Sequence, residues 1–290
     1  MQLMLRRHII NILLAISCLA LVALIYFLDN QEQPASHQQQ FQPLKKSAVQ
    51  YIKLQRSGEH DIELIRQQGE WRVSSPIQWP ANPARVHALL NLIGENIHGS
   101  FKLEETSAQD FGLQSPVVTL SLNQQTILYG DKSPLNQYRY IQANTTVYLL
   151  NDSSFYSAAA SLERYLSLKL FHPPHNKIDR ISMPGVELFK HQGAWKSNLE
   201  QPHSMDSLVS FSQYWENSSA VDISLQAPPY TAAGEILIYL SGEKQPTIFT
   251  LYLTDEGMIL HRKASQLYYH FSAHQRQQLL NLTGQPLPRD

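Results

Sequence analysis

The eleven residues IELIRQQGEWR at positions 62–72 return at positions 186–196 as VELFKHQGAWK, without a gap, at an offset of 124 residues (186 minus 62). Glu, Leu, Gln, Gly and Trp coincide, while Ile62/Val186, Arg66/Lys190 and Arg72/Lys196 keep size or charge. A duplication of this kind constrains the fold more than any bulk property. Whatever local structure forms the first time must form again, and the two products must share one molecule.

Each copy opens on apolar residues two apart, VQYIKLQR and HDIELIRQ in the first, which is the period of a half-buried strand. Gly69 before Trp71 and Gly193 before Trp195 predict a hairpin turn in each copy. Both tryptophans are expected to plug a hairpin onto a helix. Asn82 suits an N-cap with Pro83 at the first helical position, and Val86, Leu89, Leu90, Ile93 and Ile97 then recur at helical spacing. Asp206 follows Trp195 by 11 residues, as Asn82 follows Trp71, which predicts an equivalent cap. Leu208, Phe211, Tyr214 and Trp215 would supply its apolar stripe.

Strand-like runs separated by turn residues complete each copy, VVTLSL to VYLLN and EILIYL to QLYYHF. DSSFYSAAASLERYLSL and SAHQRQQLLNL close them as helices, capped by Asp152 and Ser272. The expected class is α+β: an N-terminal transmembrane helix, then two tandem related units of hairpin, helix, antiparallel strand meander and helix. The units are placed at residues 48–171 and 178–290, with residues 172–177 as a proline-bearing connector.

Ile9 to Leu28, IINILLAISCLALVALIYFL, contains no charged side chain. As a helix it would span roughly 30 Å, the thickness of a bilayer core. Arg6 and Arg7 precede it while Asp29 and Glu32 follow, so the positive-inside rule places residues 1–8 in the cytoplasm and everything after the anchor across a bacterial inner membrane, in the periplasm. The run is longer than the apolar part of a cleaved signal peptide. Cys18 in AISC loosely fits a lipobox, but ten apolar residues follow it. The Gln-rich residues 29–47 read as a flexible linker.

The 23 basic residues balance 24 acidic ones, which leaves no basic excess for tracking nucleic acid. Cys18 is the single cysteine, so thiol catalysis and cysteine zinc sites have no place after the apolar run.

GEWRVSSPIQWPANPARVHALLNLI together with FGLQSPVVTLSLNQQTILYGDKSPLNQYRYIQANTTVYLL resembles a bacterial family catalogued as domain of unknown function 4340. The pattern rests on Gly69, Trp71, Phe111, Gly112, Leu113, Pro116, Gly130, Asp131 and Tyr138 and covers roughly Tyr51 to Trp195. The resemblance implies a membrane-anchored exported protein, in some cases found beside ABC-transporter and gliding-motility auxiliary proteins. It brings no catalytic residue. The motif residues are structural: Gly112 suits positive φ, and Pro116 suits the start of a strand.

Signatures of hydrolases, metalloproteases, phosphate-cradling loops and EF-hands are missing from the sequence. Ser241-Gly-Glu-Lys244 has Ser-x-x-Lys spacing but falls in an expected hairpin turn. His172 and His175 in HPPH form a two-ligand fragment on an extended linker, short of the three ligands of a catalytic zinc. No cofactor or metal is expected. The leading expectation is a non-catalytic accessory or scaffold protein of an inner-membrane complex, ABC-transporter-like, tied to the bilayer through Ile9 to Leu28. The alternatives are a periplasmic module binding a glycan, lipid or peptide between the repeats, where Trp79, Trp215, His172 and His175 could touch it, and an enzyme with an unfamiliar site.

Overall fold

The computed structural model describes residues 17, 19–21, 39–103, 105–135, 137–172, 177–200 and 203–282. Its first sheet contains β1 (Tyr51–Arg56), β2 (Ile62–Gln67), β3 (Glu70–Ser75), β4 (Trp79–Pro80) and β5 (Gly99–Lys102). The same sheet continues with β6 (Val118–Leu122), β7 (Gln125–Lys132), β8 (Arg139–Ala143) and β9 (Thr146–Leu150). The second contains β10 (Ile178–Met183), β11 (Val186–His191), β12 (Ala194–Ser197) and β13 (Asp222–Ser224). β14 (Ala232–Leu240), β15 (Thr247–Thr254), β16 (Gly257–Arg262) and β17 (Leu267–Ser272) complete it. The strand orders are β4-β3-β2-β1-β6-β7-β8-β9-β5 and β12-β11-β10-β14-β15-β16-β17-β13.

Outward from β1 and β10 the two orders match strand for strand. A hairpin lies on one side and a meander on the other. A short strand that precedes the meander in sequence, β5 or β13, closes its far edge. The eleven-residue match falls on equivalent hairpins, β2–β3 and β11–β12. Both turns place two successive residues at positive φ, Gln68 and Gly69 at 51° and 88°, Gln192 and Gly193 at 49° and 80°. Such a pair matches the right-handed twist of the flanking strands. β4 has no counterpart in the second sheet.

The helices are α1 (Pro83–Leu90), α2 (Phe155–Ala158), α3 (Leu162–Tyr165), α4 (Met205–Asn217) and α5 (Ala273–Leu280). They correct the expected class. The molecule is mainly antiparallel β with short helices, and no spanning helix belongs to the described fold. Of the segment Ile9 to Leu28, only Ser17 and residues 19–21 are among the described residues, and the rest lies outside them. Among the described residues no helix is long and apolar enough to cross a membrane.

Four local expectations also give way. DSSFYSAAASLERYLSL breaks into two single turns, α2 and α3, because the Arg56 guanidinium takes the carbonyls of Ala159 and Ala160 between them. Asp152 is no cap either, since α2 starts at Phe155 with Ser154 at the N-cap position; it pairs instead with Arg139 and Lys132. The cap of α4 is Ser204, whose hydroxyl accepts from the Ser207 N–H, and Asp206 lies within the first turn. Asn82 and Ser272 do cap α1 and α5. The linker gives way to packed chain at Gln39. Phe41 is buried, its N–H donates to the Glu95 carbonyl at 2.8 Å, and its ring meets Tyr148 edge-on at 5.1 Å.

Alternation drives both sheets. Ile52 and Leu54 on β1, Val118, Leu120 and Leu122 on β6, and Leu267, Tyr269 and Phe271 on β17 all point inward, with polar residues between them. Each fully buried Leu or Ile contributes about 1.5–3 kcal/mol. Most of the buried apolar residues of both sheets form one continuous cluster. A strap from Leu166 to His172 joins the two halves. On one side the Ser167 N–H donates to Pro80 and the Asn82 N–H to Tyr165, at 2.8 and 2.7 Å. On the other, Ala220 donates to Leu168 at 2.9 Å and Leu170 to Ser218 at 3.3 Å.

Candidate functional site

α4 presents two faces. Leu208, Phe211, Ser212 and Trp215, at i, i+3, i+4 and i+7, are buried against the sheet. Ser207, Ser210, Gln213, Tyr214 and Asn217 stay exposed, and α5 runs alongside them. Between the helices lies a groove of two adjoining hollows of about 540 and 350 Å³ that share Ser210, Tyr214 and Gln278. The larger hollow has only hydroxyl, amide and apolar side chains on its walls, and Tyr214, 49% exposed, stands where the two hollows meet.

The frame around the groove is well fixed. The fully buried Trp215 donates its indole N–H to the Leu279 carbonyl at 2.9 Å, tying α4 to α5 beneath it. Gln275 closes one end by donating to the Ser219 carbonyl at 2.8 Å. The buried Glu216 accepts from the Ile178 N–H and from Lys177, both at 3.0 Å, fixing α4 to β10. Ser272 and Gln275 form a capping box at the start of α5. Such a groove offers donors, acceptors and a phenol ring to an uncharged, hydrogen-bonding partner. It has no paired acid and base. Among the described residues no group of three or more His, Cys, Asp or Glu side chains is placed to hold a metal.

The residues expected to meet a ligand are distributed differently. Trp215 is core. His175 lies outside the described residues. Trp79 and His172 come together at the strap, their rings edge-to-face at 6.1 Å, with the indole N–H donating to the Ser167 carbonyl at 3.3 Å. His172 Nε2 lies 2.8 Å from the Ser167 hydroxyl. Burial, reinforced by Lys169, Arg262 and Arg72, pushes His172 down to about 4, so the ring is neutral near pH 7. Tyr214, counted by sequence as part of the apolar stripe, is the exposed ring of the groove. Its position one residue out of the i, i+3, i+4, i+7 series was the available signal.

Residues 71–224 match the sequence profile described as Domain of unknown function (DUF4340), which is more than half of the chain. The chain belongs to the DUF4340 family. No curated protein and no solved structure matches it significantly. The DUF4340 span begins in β3 and ends in β13, so it crosses from one sheet to the other and includes the strap and α4. α5, the second wall of the groove, lies beyond it.

The motif residues act structurally. Gly112 adopts φ +67°, and a Cβ there would stand 2.6 Å from the Asp131 carboxyl carbon. Pro116 precedes β6 by two residues rather than opening it. Trp195 is buried on β12 under the Lys190 ammonium at 5.0 Å, while Trp71 packs half-buried against the core. Ser241 lies in the β14–β15 turn.

Proposed function

We propose that this protein is a non-catalytic accessory module of an inner-membrane complex, held at the membrane by the apolar segment Ile9 to Leu28 with its folded part on the periplasmic side. The partner, transport-type by family resemblance, docks into the groove between α4 and α5. The observation that carries this reading is the difference between two like-built halves. The second sheet carries a 13-residue helix beside an 8-residue one, with a groove between them, where the first carries the 8-residue α1 and two single turns. A difference of this size on one helical face of a duplicated scaffold supports a role for that face.

The test is a photo-crosslinking residue in place of Tyr214 in the full-length chain in native membranes, compared with the same residue in place of Tyr156, which is 68% exposed on the other half. A stoichiometric membrane partner captured from position 214 and not from 156 is the expected result. Equal capture from both, or none from 214, overturns the docking face.

The uncharged lining around an exposed tyrosine also favours a second reading, a module that binds a neutral glycan. Saturable binding of neutral oligosaccharides that Tyr214→Ala abolishes would replace the docking reading with this one.

A further inference from the structure

Two buried guanidinium groups of this chain are neutralised by carboxylates. Arg56 pairs with Glu59 at 3.0 Å, and Arg139 pairs with Asp152 at 2.5 Å while donating to the Gly130 carbonyl at 2.6 Å. Arg262, at the end of β16, differs. It lies against the strap with its guanidinium carbon 5.2 Å from the Trp79 ring centre, 5.8 Å from Phe249 and 5.9 Å from Phe171. One of its N–H groups donates to the Leu170 carbonyl at 2.7 Å. Among the described residues no carboxylate lies within ion-pair distance of it.

A guanidinium in such surroundings is costly to leave unpaired. Ring faces offset only a small part of that. Two further cations lie near the same junction without a carboxylate partner among the described residues. Arg72 sits opposite Pro80 on the β3–β4 pair, and the exposed Lys169 lies on the strap. Both act on His172, as Arg262 does.

Tyr269 adds an independent sign. It is fully buried, and its hydroxyl has no hydrogen-bond partner. In the β16–β17 register Leu260 faces Tyr269 and Arg262 faces Leu267, so Tyr269 and Arg262 are diagonal neighbours on one face. An orphaned donor therefore sits beside an unpaired cation.

We propose that the strap junction is a phosphate-binding site, with Arg262 at its base, Lys169 at its rim and Arg72 and Tyr269 beside them, the phosphate being free or carried by a phospholipid head group. Three cations with no opposing acid suit a multiply charged oxyanion better than a single carboxylate. The planar fork of Arg262 offers the paired N–H groups that phosphate oxygens accept. The site is separate from the helix groove, and neither reading depends on the other.

The experiment is calorimetric titration of the full-length protein in detergent micelles with two probes, inorganic phosphate and dihexanoyl phosphatidylglycerol below its micellar concentration. Saturable, salt-sensitive binding of at least one probe is expected. Lys169→Gln should weaken it roughly threefold, as for an exposed cation, and Arg262→Met by roughly tenfold or more. If Arg262→Met fails to fold, Arg72→Gln and Lys169→Gln decide, since Lys169 is exposed and Arg72 only half-buried. Binding of phosphate alone assigns a free anion, binding of the lipid alone assigns a head group, and binding of both assigns the phosphate itself as what is read. No saturable binding at millimolar probe, or binding unaltered in both surface variants, overturns the site.

Discussion

At the scale of single residues, Asp152 shows most directly how this chain handles buried charge. Burial pushes its carboxyl up, but Arg139 and Lys132 outweigh that and hold it below the usual carboxylate range. Arg139, itself over the Phe155 ring at 3.6 Å, depends on this partner. Asp152→Asn should therefore destabilise the fold by about 3 kcal/mol, measured by urea denaturation at pH 7. Because the folded carboxyl titrates below its unfolded value, the contribution is complete above about pH 4 and lost as pH falls further, so the variant should show a flatter acid limb. His172 works in the other part of the scale. Buried neutral and lowered to about 4 beside Lys169, Arg262 and Arg72, it favours the fold fully above its unfolded value near 6.5, and that contribution is lost as pH falls toward 4. His172→Gln should reduce the fall in Tm between pH 6.5 and 4; an unchanged slope would refute the assignment. His261 and His270, also lowered by burial, account for slope that persists.

At the scale of elements, α5 rests on its first turn. Ser272→Ala removes the hydroxyl half of the capping box, the acceptor of the Gln275 N–H, while the backbone N–H at 272 can still donate to Gln275; a loss of about 1 kcal/mol is expected, with faster hydrogen exchange in α5 than in β16. Equal exchange changes in both would mean that the cap serves the whole domain rather than the groove wall. Ser272 and Asn82 were legible because capping is a local signal, readable from a few neighbouring side chains. Asp152 misled for the same reason: its partners Arg139 and Lys132 are brought close by a hairpin pairing that sequence spacing does not reveal. The strands of the meanders were legible from alternation, but β5 and β13 were not. Gly99–Lys102 carries almost no apolar alternation, because it lies at a sheet edge with one half-buried and three exposed residues. Trp79 and His172 were singled out as aromatic or imidazole groups, yet their meeting with Arg262 depends on the strap. No local pattern marks Arg262, 90 positions beyond His172 and 183 beyond Trp79 (262 minus 172 and 262 minus 79), as their neighbour.

At the scale of the whole molecule, the two halves share one buried cluster and a strap hydrogen-bonded to both. Coupling of that kind makes the halves unfold together. Differential scanning calorimetry should show a single transition with equal calorimetric and van't Hoff enthalpies. Two resolved transitions would mean that the strap joins independent domains. The duplication itself was visible in eleven residues, whereas the predominance of strand over helix was not. The apolar stripes at helical spacing were real but short, and the contact of Arg56 with the Ala159 and Ala160 carbonyls, where α2 gives way to α3, is long-range.

β5 and β13 also impose an order in time. Each is synthesised before the meander whose far edge it closes, and its partner, β9 or β17, is the last strand of that sheet to be made. As the chain emerges, each early strand waits with its backbone groups unsatisfied until some 45 further residues have appeared. Each half therefore matures in one late step, and in that interval it offers an open strand edge to any chaperone that holds extended polypeptide.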